Sequence, residues 1–501
     1  MSTLPLIQHL IDGQLVTGGQ RTQYVFNPAT GKPEKTLLLA DKATVEQAIA
    51  SAHAAYPAWR ATPPLKRARV MSKLKVLLEE NADQICALLT AEHGKVLGDS
   101  MGELQRGIEN VEYASYAPEL LKGEHSKNVG PAIDSWSEFQ PLGVTAGITP
   151  FNFPVMVPLW MWPMAIACGN TFVLKPSERD PSSVLLVAQL ALQAGLPPGV
   201  LNVVNGDKEA VDTLLADPRV AAISFVGSTP IAEYIYSEGC AKGKRVQALG
   251  GAKNHAVVMP DADVANAVSA LMGAAYGSCG ERCMAIPLVV AVGETVADAV
   301  VAGLKVEIAK MKVGPGTDAS NDMGPLITRQ HFEKVKGYVD QGVAEGATLV
   351  VDGRGVTVSG HEEGYFLGPC LFDHVQPGMT IYQDEIFGPV LGVVRVSTLQ
   401  EAMDLIDAHE YGNGTCIFTR DGEAARFFSD HILVGMVGIN VPLPVPVAYH
   451  SFGGWKRSLF GDLNAYGPDA VRFYTKRKTI TQRWPSAGVR EGSTFSFPST
   501  R

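Results

Sequence analysis

At 501 residues, with 46% hydrophobic and 19% charged residues, the chain is long for one core and too apolar for disorder, so two or three packed domains are expected. A net charge of −9 argues against a general nucleic-acid binder, which is usually basic. Seven cysteines, an odd number with no CxxC spacing, point to free thiols in a reducing compartment and not to a disulfide framework. The N-terminal MSTLPLIQHLIDG has neither a basic segment leading into an apolar one nor an Arg-rich presequence. The most apolar stretch, Val155 to Cys168, is short and interrupted by Pro158 and Pro163, so no membrane span is expected. A cytoplasmic enzyme is the plain expectation.

Taken in order, residues 1–40 read as short strands and turns, punctuated by Asp12-Gly13, Gly18-Gly19 and Asn27-Pro28. Thr44 to His125 carries a helical pattern: Val45, Ala48, Ile49 and Ala52 recur at three and four, as do Val70, Leu74, Leu77 and Leu78. Arg106 lies in this region with Glu109 and Glu112. Val144–Thr149 reads as a strand broken by Pro150-Phe151-Asn152-Phe153-Pro154. Pro163–Ala167 reads as buried helix, Thr171–Leu174 as strand, Ser182–Ala194 as helix, and Leu201–Val204 and Val220–Val226 as strands. After Gly227-Ser228-Thr229, Pro230 suits a first helical turn with Thr229 as N-cap.

A second alternating region follows: strand Val257–Met259, helix Val264–Tyr276, strand Leu288–Val292, helix Ala297–Met311, strand Thr348–Val351, strand-like Glu385–Leu391, helix Leu399–Ala408 and strand Thr415–Thr419. Residues 465–484 are basic, aromatic and β-prone. A polar tail, 485–501, is expected to be poorly ordered. Alternation at this spacing implies a mainly parallel, covered sheet.

Chemistry concentrates at two places. Between the apolar runs 267–276 and 284–292 lies Gly277-Ser278-Cys279-Gly280-Glu281-Arg282-Cys283. A thiol on glycine-rich backbone can be a nucleophile, although a single buried Cys is more often inert. The ends of the strands in the first half suit a nucleotide, because phosphate favours helix N-termini at the carboxyl ends of parallel strands. There is no GxGxxG. Lys175 and Glu178 at one strand end could hold ribose hydroxyls, and a carboxylate there disfavours the 2′-phosphate of NADP; the alternative is a solvated ion pair.

Five segments occur in order and at characteristic separations: Ile148-Thr149-Pro150-Phe151-Asn152-Phe153-Pro154, Leu174-Lys175-Pro176-Ser177-Glu178, Phe225-Val226-Gly227-Ser228-Thr229, Glu281-Arg282-Cys283 and Glu385-Ile386-Phe387-Gly388-Pro389. On them the chain, over about residues 5 to 484, resembles the aldehyde dehydrogenase superfamily. Gly251-Ala252-Lys253-Asn254-His255 and Gly280–Ala285 look like the CoA-acylating methylmalonate-semialdehyde dehydrogenases. The resemblance implies an α/β fold. A Rossmann-type, parallel-sheet NAD domain would take residues 1–125 and 145–252, and an α/β catalytic domain 253–445. An oligomerisation arm and C-terminal segment would take 126–144 and 446–484, in a homodimer or homotetramer.

The resemblance also implies roles. Cys283 would attack the aldehyde, with Asn152 and the Cys283 backbone N–H stabilising the oxyanion. Lys175 and Glu178 would hold the adenosine ribose of NAD, Ser228 the pyrophosphate and Glu385 the nicotinamide ribose. Thr149, Phe151, Arg179 and Gly250 would line the same cleft. Hydrolytic members carry a Glu four residues before the Lys of an ELGGK-like segment. Here that count from Lys253 reaches Leu249, or Ala248 with a one-residue shift, and neither is a base. A general base is typically worth ~10²–10⁴-fold, so coenzyme A, a thiol needing less help than water, is the expected acyl acceptor.

Arg282 and Arg106 match arginines of the methylmalonate-semialdehyde group and suit a substrate carboxylate. The alternative for Arg106 is pairing with Glu103, Glu109 or Glu112 on its own helix. The expected reaction is oxidation and decarboxylation of methylmalonate or malonate semialdehyde to propanoyl-CoA or acetyl-CoA, chemistry that would serve valine, inositol or β-alanine breakdown. Two rivals stand beside it: a hydrolytic, broad-specificity aldehyde dehydrogenase, and a non-catalytic NAD-binding protein. Cys279 would share a face with Cys283 if the segment were helical. No His/Cys cluster accompanies the pair, so no metal is expected. Neither His255 nor His450 receives a role. Trp160-Met161-Trp162 reads as tunnel wall or core.

Overall fold

The computed structural model describes residues 4–484. The tail expected at 485–501 lies outside them. Two large sheets organise the chain. The first has eight strands in the spatial order Leu459–Phe460, Arg245–Leu249, Val220–Val226, Val144–Ile148, Thr171–Lys175, Leu201–Val203, His9–Ile11 and Gln14–Val16. Its five central strands are parallel and its margins antiparallel. Val144–Ile148 and Thr171–Lys175 are buried on both faces and mostly apolar; the polar Thr145 and Lys175 are hydrogen-bonded to backbone carbonyls. The chain runs outward from Val144–Ile148 in one direction, then returns to Val220–Val226 on its other side. That reversal is a topological switch point, where α/β sheets open a crevice beyond their strand ends.

The second sheet has seven strands, ordered Thr348–Val351, Cys370–Asp373, Val390–Val396, Leu288–Val292, His255–Val258, Gly414–Phe418 and Met436–Ile439. All are parallel except the first. A separate antiparallel sheet places Ile133–Pro141 between His125–Gly130 and Thr475–Arg483. Among the described residues no helix is long and apolar enough to cross a membrane.

Several elements differ from the sequence expectation. The helical pattern of 44–125 divides into Lys42–Ala61, Pro64–Glu80, Ala82–His93, Leu97–Ala114 and Ala117–Leu120, and His125 already begins a strand. The buried helix starts earlier, at Met156. The helix expected at Ala297–Met311 is Glu294–Ile308. Glu385 is not in a strand; the ladder begins at Val390, beyond the glycine and proline at 388–389. Lys208–Ala216, Arg245–Leu249 and Arg329–Ala344 had no sequence expectation. Ser228, not Thr229, is the N-cap of Thr229–Ala241. The Thr229 hydroxyl is committed elsewhere: it accepts from Gly251 N at 2.8 Å and donates to Tyr411 Oη at 3.1 Å.

Helix Met156–Ala167, buried along its whole length, packs against Leu97–Ala114. Gly107 makes the approach possible, since a Cβ there would sit 2.7 Å from Leu159 Cδ1. The N-terminus of Met156–Ala167 has no side-chain cap of its own. Glu103 supplies one from the neighbouring helix, its Oε1 accepting from Val155 N and Met156 N. Its Oε2 takes a 2.7 Å bond from Lys95 Nζ, and both side chains are fully buried. Lys95 Nζ also donates to Asn152 O at 2.6 Å and lies over the Phe153 ring.

Breaking such a pair strands a buried charge. Glu103→Ala is expected to lower stability by about 3–5 kcal/mol, read by chemical denaturation. The double variant Lys95→Met/Glu103→Ala is expected to recover part of the loss. A single variant as stable as wild type would exclude a structural role for the pair.

Candidate active site

The chain leaves helix Val264–Tyr276 through a tight turn, Gly277–Gly280, in which Ser278, Cys279 and Gly280 have φ of 51°, 54° and 72°. Three successive left-handed residues are costly unless held. Two contacts hold them. Asp99 Oδ2 accepts from Ser278 N at 2.9 Å. Gly280 lies so close to Gly388 that a Cβ would fall 2.3 Å from its carbonyl oxygen, which only glycine permits. The turn is not α-helical, so Cys279 and Cys283 do not share a face. Cys279 is buried in the core of the second sheet, whereas Cys283 packs against the cluster of the first. Both thiols are free.

The Cys283 peptide is fixed from behind. Its carbonyl oxygen accepts from Asn254 Nδ2 at 3.0 Å and Asn413 Nδ2 at 3.1 Å. Burial pushes the thiol up to about 12, and the nearby Glu385 adds to this. The backbone N–H groups of Cys283 and Met284, and then Arg282, pull the other way. The resting sulfur is therefore a protonated thiol.

Cys283 belongs to two cavities. One, of about 250 Å³, is lined by Asp99, Arg106, Phe153, Trp160, Arg282 and Phe452. It falls below the ~300–1,000 Å³ of sites for drug-sized ligands, so it suits a substrate of a few carbons. Trp160 is thus wall, and Trp162 is core. Asn152 precedes the wall residue Phe153; its side-chain amide makes no hydrogen bond to another described residue. Both arginines reach this tunnel, and both have partners. Arg282 Nη2 meets Asp99 Oδ1 at 2.7 Å. Arg106 Nη1 meets Glu109 Oε2 at 2.8 Å on its own helix, and its Nη2 donates to Val445 O. Leu249 lies in the apolar cluster against which Cys283 packs; Ala248, one residue earlier, lies in the cluster on the opposite face of its strand.

The second cavity joins Cys283 to Ala252, Glu385, Phe387 and Gly388. Glu385 Oε1 accepts from Ala252 N at 2.9 Å. Gly251 lets the carboxylate approach, since a Cβ there would lie 2.6 Å from Oε2. Burial raises the Glu385 carboxyl to about 7, partly offset by the Ala252 N–H and Lys253. Burial lowers Lys253 to about 7. The Lys253 Nζ donates to Ile381 O and Asp384 O, bracing the segment that carries Glu385. Gly250 abuts Thr229, and Ser228 caps the helix there without spending its hydroxyl on it.

Thr149, Phe151, Glu178 and Arg179 line a third cleft with His331. Phe151 reaches the second cavity by an edge contact with Phe387, ring centroids 5.8 Å apart. Lys175 Nζ bonds Gly206 O at 2.9 Å and Glu178 Oε2 at 3.3 Å. Burial alone would raise Glu178, but Lys175, and then Arg179, bring its carboxyl below the usual value. The residues fit a dinucleotide. An ionised carboxylate stands at a strand end, a helix N-terminus carries an uncommitted serine hydroxyl, and the Thr149 Oγ1 is buried without a partner.

Sequence reasoning missed Asp99, Asn254, Asn413, Lys95 and Lys253 as supports of the site. Asn254 and Lys253 stood inside a quoted motif, but nothing local marked the other three. Among the described residues no group of three or more His, Cys, Asp or Glu is placed to hold a metal.

With this geometry in view, the comparisons with known proteins are specific. Residues 15–480 match the model of the aldehyde dehydrogenase family. The chain is 69% identical to the malonate-semialdehyde dehydrogenase of Pseudomonas aeruginosa over 98% of this chain and 99% of that protein. A crystal structure of methylmalonate-semialdehyde dehydrogenase from Oceanimonas doudoroffii is 72% identical and superimposes with a TM-score of 0.96, covering 98% of this chain and 100% of the other. A Sinorhizobium meliloti protein assigned the same activity and solved with NAD is 52% identical, with TM-score 0.96 over 97% and 100% of the two chains. The chain belongs to the aldehyde dehydrogenase family.

Proposed function

We propose that the protein is an NAD-dependent, CoA-acylating dehydrogenase that oxidises and decarboxylates malonate or methylmalonate semialdehyde to acetyl-CoA or propanoyl-CoA. The observation that carries this reading is the junction at Cys283. One thiol faces a small arginine-bearing tunnel on one side and the Glu385 cavity on the other, and Leu249 places hydrocarbon in the cluster around it. The names of the relatives agree with this reading.

The roles follow from position. Lys175, Glu178 and Arg179, with Thr149 and Phe151, would hold the adenosine half of NAD, Ser228 and Gly250 the pyrophosphate, and Glu385 the nicotinamide ribose. NAD, when bound, supplies the hydride acceptor. Cys283 Sγ gives its proton to solvent water, a step opposed by burial and favoured by the N–H groups of Cys283 and Met284, and the thiolate attacks the carbonyl carbon. The Asn152 amide and the Cys283 N–H donate to the oxyanion of the adduct. After oxidation the acyl group is a thioester on Sγ. With no carboxylate at 249 to activate water, the acyl group awaits the CoA thiol. Loss of CO2 from a malonyl-type thioester leaves an enolate oxygen, which the same donors stabilise. Arg282 and Arg106 would receive the substrate carboxylate.

In this reading residues 1–125 and 145–252 hold NAD and 253–445 carry the nucleophile. Of the arm expected at 126–144 and 446–484, Leu459–Phe460 instead extends the first sheet and Phe452 lines the tunnel. The arm is the sheet of His125–Gly130, Ile133–Pro141 and Thr475–Arg483, whose exposed edge strand His125–Gly130 would pair subunits in a cytoplasmic homodimer or homotetramer.

Three outcomes test this reading. With malonate semialdehyde and NAD but no CoA, NADH should appear as one stoichiometric burst, absent in Cys283→Ala, and CoA should convert it to steady turnover. Sustained turnover without CoA would establish hydrolysis instead. Arg282→Leu should lose about 10–100-fold in kcat/KM with malonate semialdehyde, and less with propanal; equal losses would remove the arginine from carboxylate recognition. Finally, iodoacetamide inactivation of the NAD-free enzyme should accelerate throughout pH 7–9, because a raised pKa leaves the thiolate scarce at neutrality and its fraction grows with pH. A plateau below pH 8 would mean that the thiolate is already formed.

A further inference from the structure

We infer that Asp99 is a specificity-determining positioning residue that fixes the Arg282 guanidinium in the tunnel wall and joins it to the nucleophile loop. The inference rests on the semialdehyde reading above. Asp99 lies in the first turn of helix Leu97–Ala114 and lines the tunnel. Its two oxygens do different work. Oδ1 meets Arg282 Nη2 at 2.7 Å, and Oδ2 takes the Ser278 N–H at 2.9 Å. One carboxylate thus connects the helix wall, the arginine beside Cys283 and the first left-handed residue of the turn leading to it.

The guanidinium is confined on three sides. Asp99 holds Nη2, and Gly273 O accepts from Nη1 at 3.3 Å. Gly277 lies beneath it so closely that a Cβ would come within 2.5 Å of Nη1 and 2.7 Å of Cζ. Asp99 and Arg282 are each about one-fifth exposed, at 22% and 18%, so the pair borders the tunnel without being submerged. Arg106 is held differently. Glu109, which meets its Nη1, is three residues away on one helix surface, both are about one-third exposed, and the Arg106 Nη2 reaches Val445 O only at 3.4 Å. Such a pair is worth little and rearranges easily. Of the two arginines, Arg282 is the one with a fixed geometry, and Asp99 fixes it.

A carboxylate beside a carboxylate receptor has a cost in attraction, since it cancels part of the receptor's charge. Its return is orientation: an arginine clamped by one acid presents its remaining N–H groups in a constant direction. The substrate is then selected by placement of its carbonyl over Cys283 more than by charge attraction alone, and this belongs in kcat/KM with a contribution from kcat.

The two bonds can be separated experimentally. Asp99→Asn keeps an oxygen for Ser278 N but loses the ionic anchor of Arg282; Asp99→Ala loses both. Asp99→Asn is expected to reduce kcat/KM for malonate semialdehyde about 10–100-fold, with kcat sharing the loss, and for propanal by less than about threefold. Asp99→Ala should cut both aldehydes. Combined with Arg282→Leu, Asp99→Asn should add almost nothing, because the two act as one unit. Gly277→Ala, whose φ of −54° an alanine accepts, should displace the guanidinium and reproduce the selective loss with Asp99 intact. Equal losses for both aldehydes in Asp99→Asn, or multiplicative losses in the double variant, would overturn the inference, and so would a malonate semialdehyde preference that survives both Asp99→Asn and Gly277→Ala. A wild-type enzyme with no preference for malonate semialdehyde over propanal would instead overturn the substrate reading on which the inference rests.

Discussion

The carbonyl oxygen of Cys283 receives two hydrogen bonds, from Asn254 and Asn413, and the placement of the nucleophile follows from where those amides come from. Each stands just before a strand of the second sheet, His255–Val258 and Gly414–Phe418, and these strands are parallel neighbours. Asn254 also accepts from Gly414 N through its Oδ1, so it joins the two strand ends while its Nδ2 holds the Cys283 and Ala285 carbonyls. A carbonyl gripped twice cannot rotate, and its peptide sets the direction of the next N–H and of the side chain. The nucleophile is therefore attached to the ends of two paired strands, although it sits in a loop.

Around that anchor, burial shifts the resting charges. It holds the thiol protonated, raises the Glu385 carboxyl and lowers the Lys253 ammonium. Glu281, two residues before the nucleophile, is fully buried between His93 and His331, and desolvation raises its carboxyl well above the ordinary range while lowering both imidazoles. The oxygen on which negative charge develops faces donors arranged in advance. The charges that persist at the tunnel are held by partners that orient them, Asp99 for Arg282 and Glu109 for Arg106.

The two sheets divide the work for a topological reason. The switch point lies beside Val144–Ile148, the strand that Thr149 and the cleft-lining Phe151 follow, while Ser228 caps the helix after the neighbouring strand Val220–Val226. Segments flanking the second sheet bring Cys283 and Glu385 to one shared cavity. Leu249 ends a strand of the first sheet and belongs to the same apolar cluster against which Cys283 packs.

The alternation of apolar runs with helical periodicity was enough to imply parallel, covered sheets, because a strand buried on both faces is mostly apolar and hydrogen-bonds the few polar groups it carries. Cys283, Asn152, Glu178 and Glu385 were singled out by the resemblance that five ordered motifs carry, since residue type alone leaves a lone cysteine more often inert. Tertiary structure decided what depends on distance between segments remote in sequence. It chose Leu249 over Ala248, since the face a strand residue occupies depends on register. It placed the N-cap at Ser228, whose backbone is extended while Thr229 is already helical, and it gave the Thr229 hydroxyl to Gly251. It set Glu385 in a loop, and it brought Asp99, Asn254 and Asn413 to a nucleophile from which they lie far along the chain. A lone aspartate in a helical pattern carries no local mark of the arginine it will hold, since the pairing exists only after helix Leu97–Ala114 has packed against the nucleophile turn.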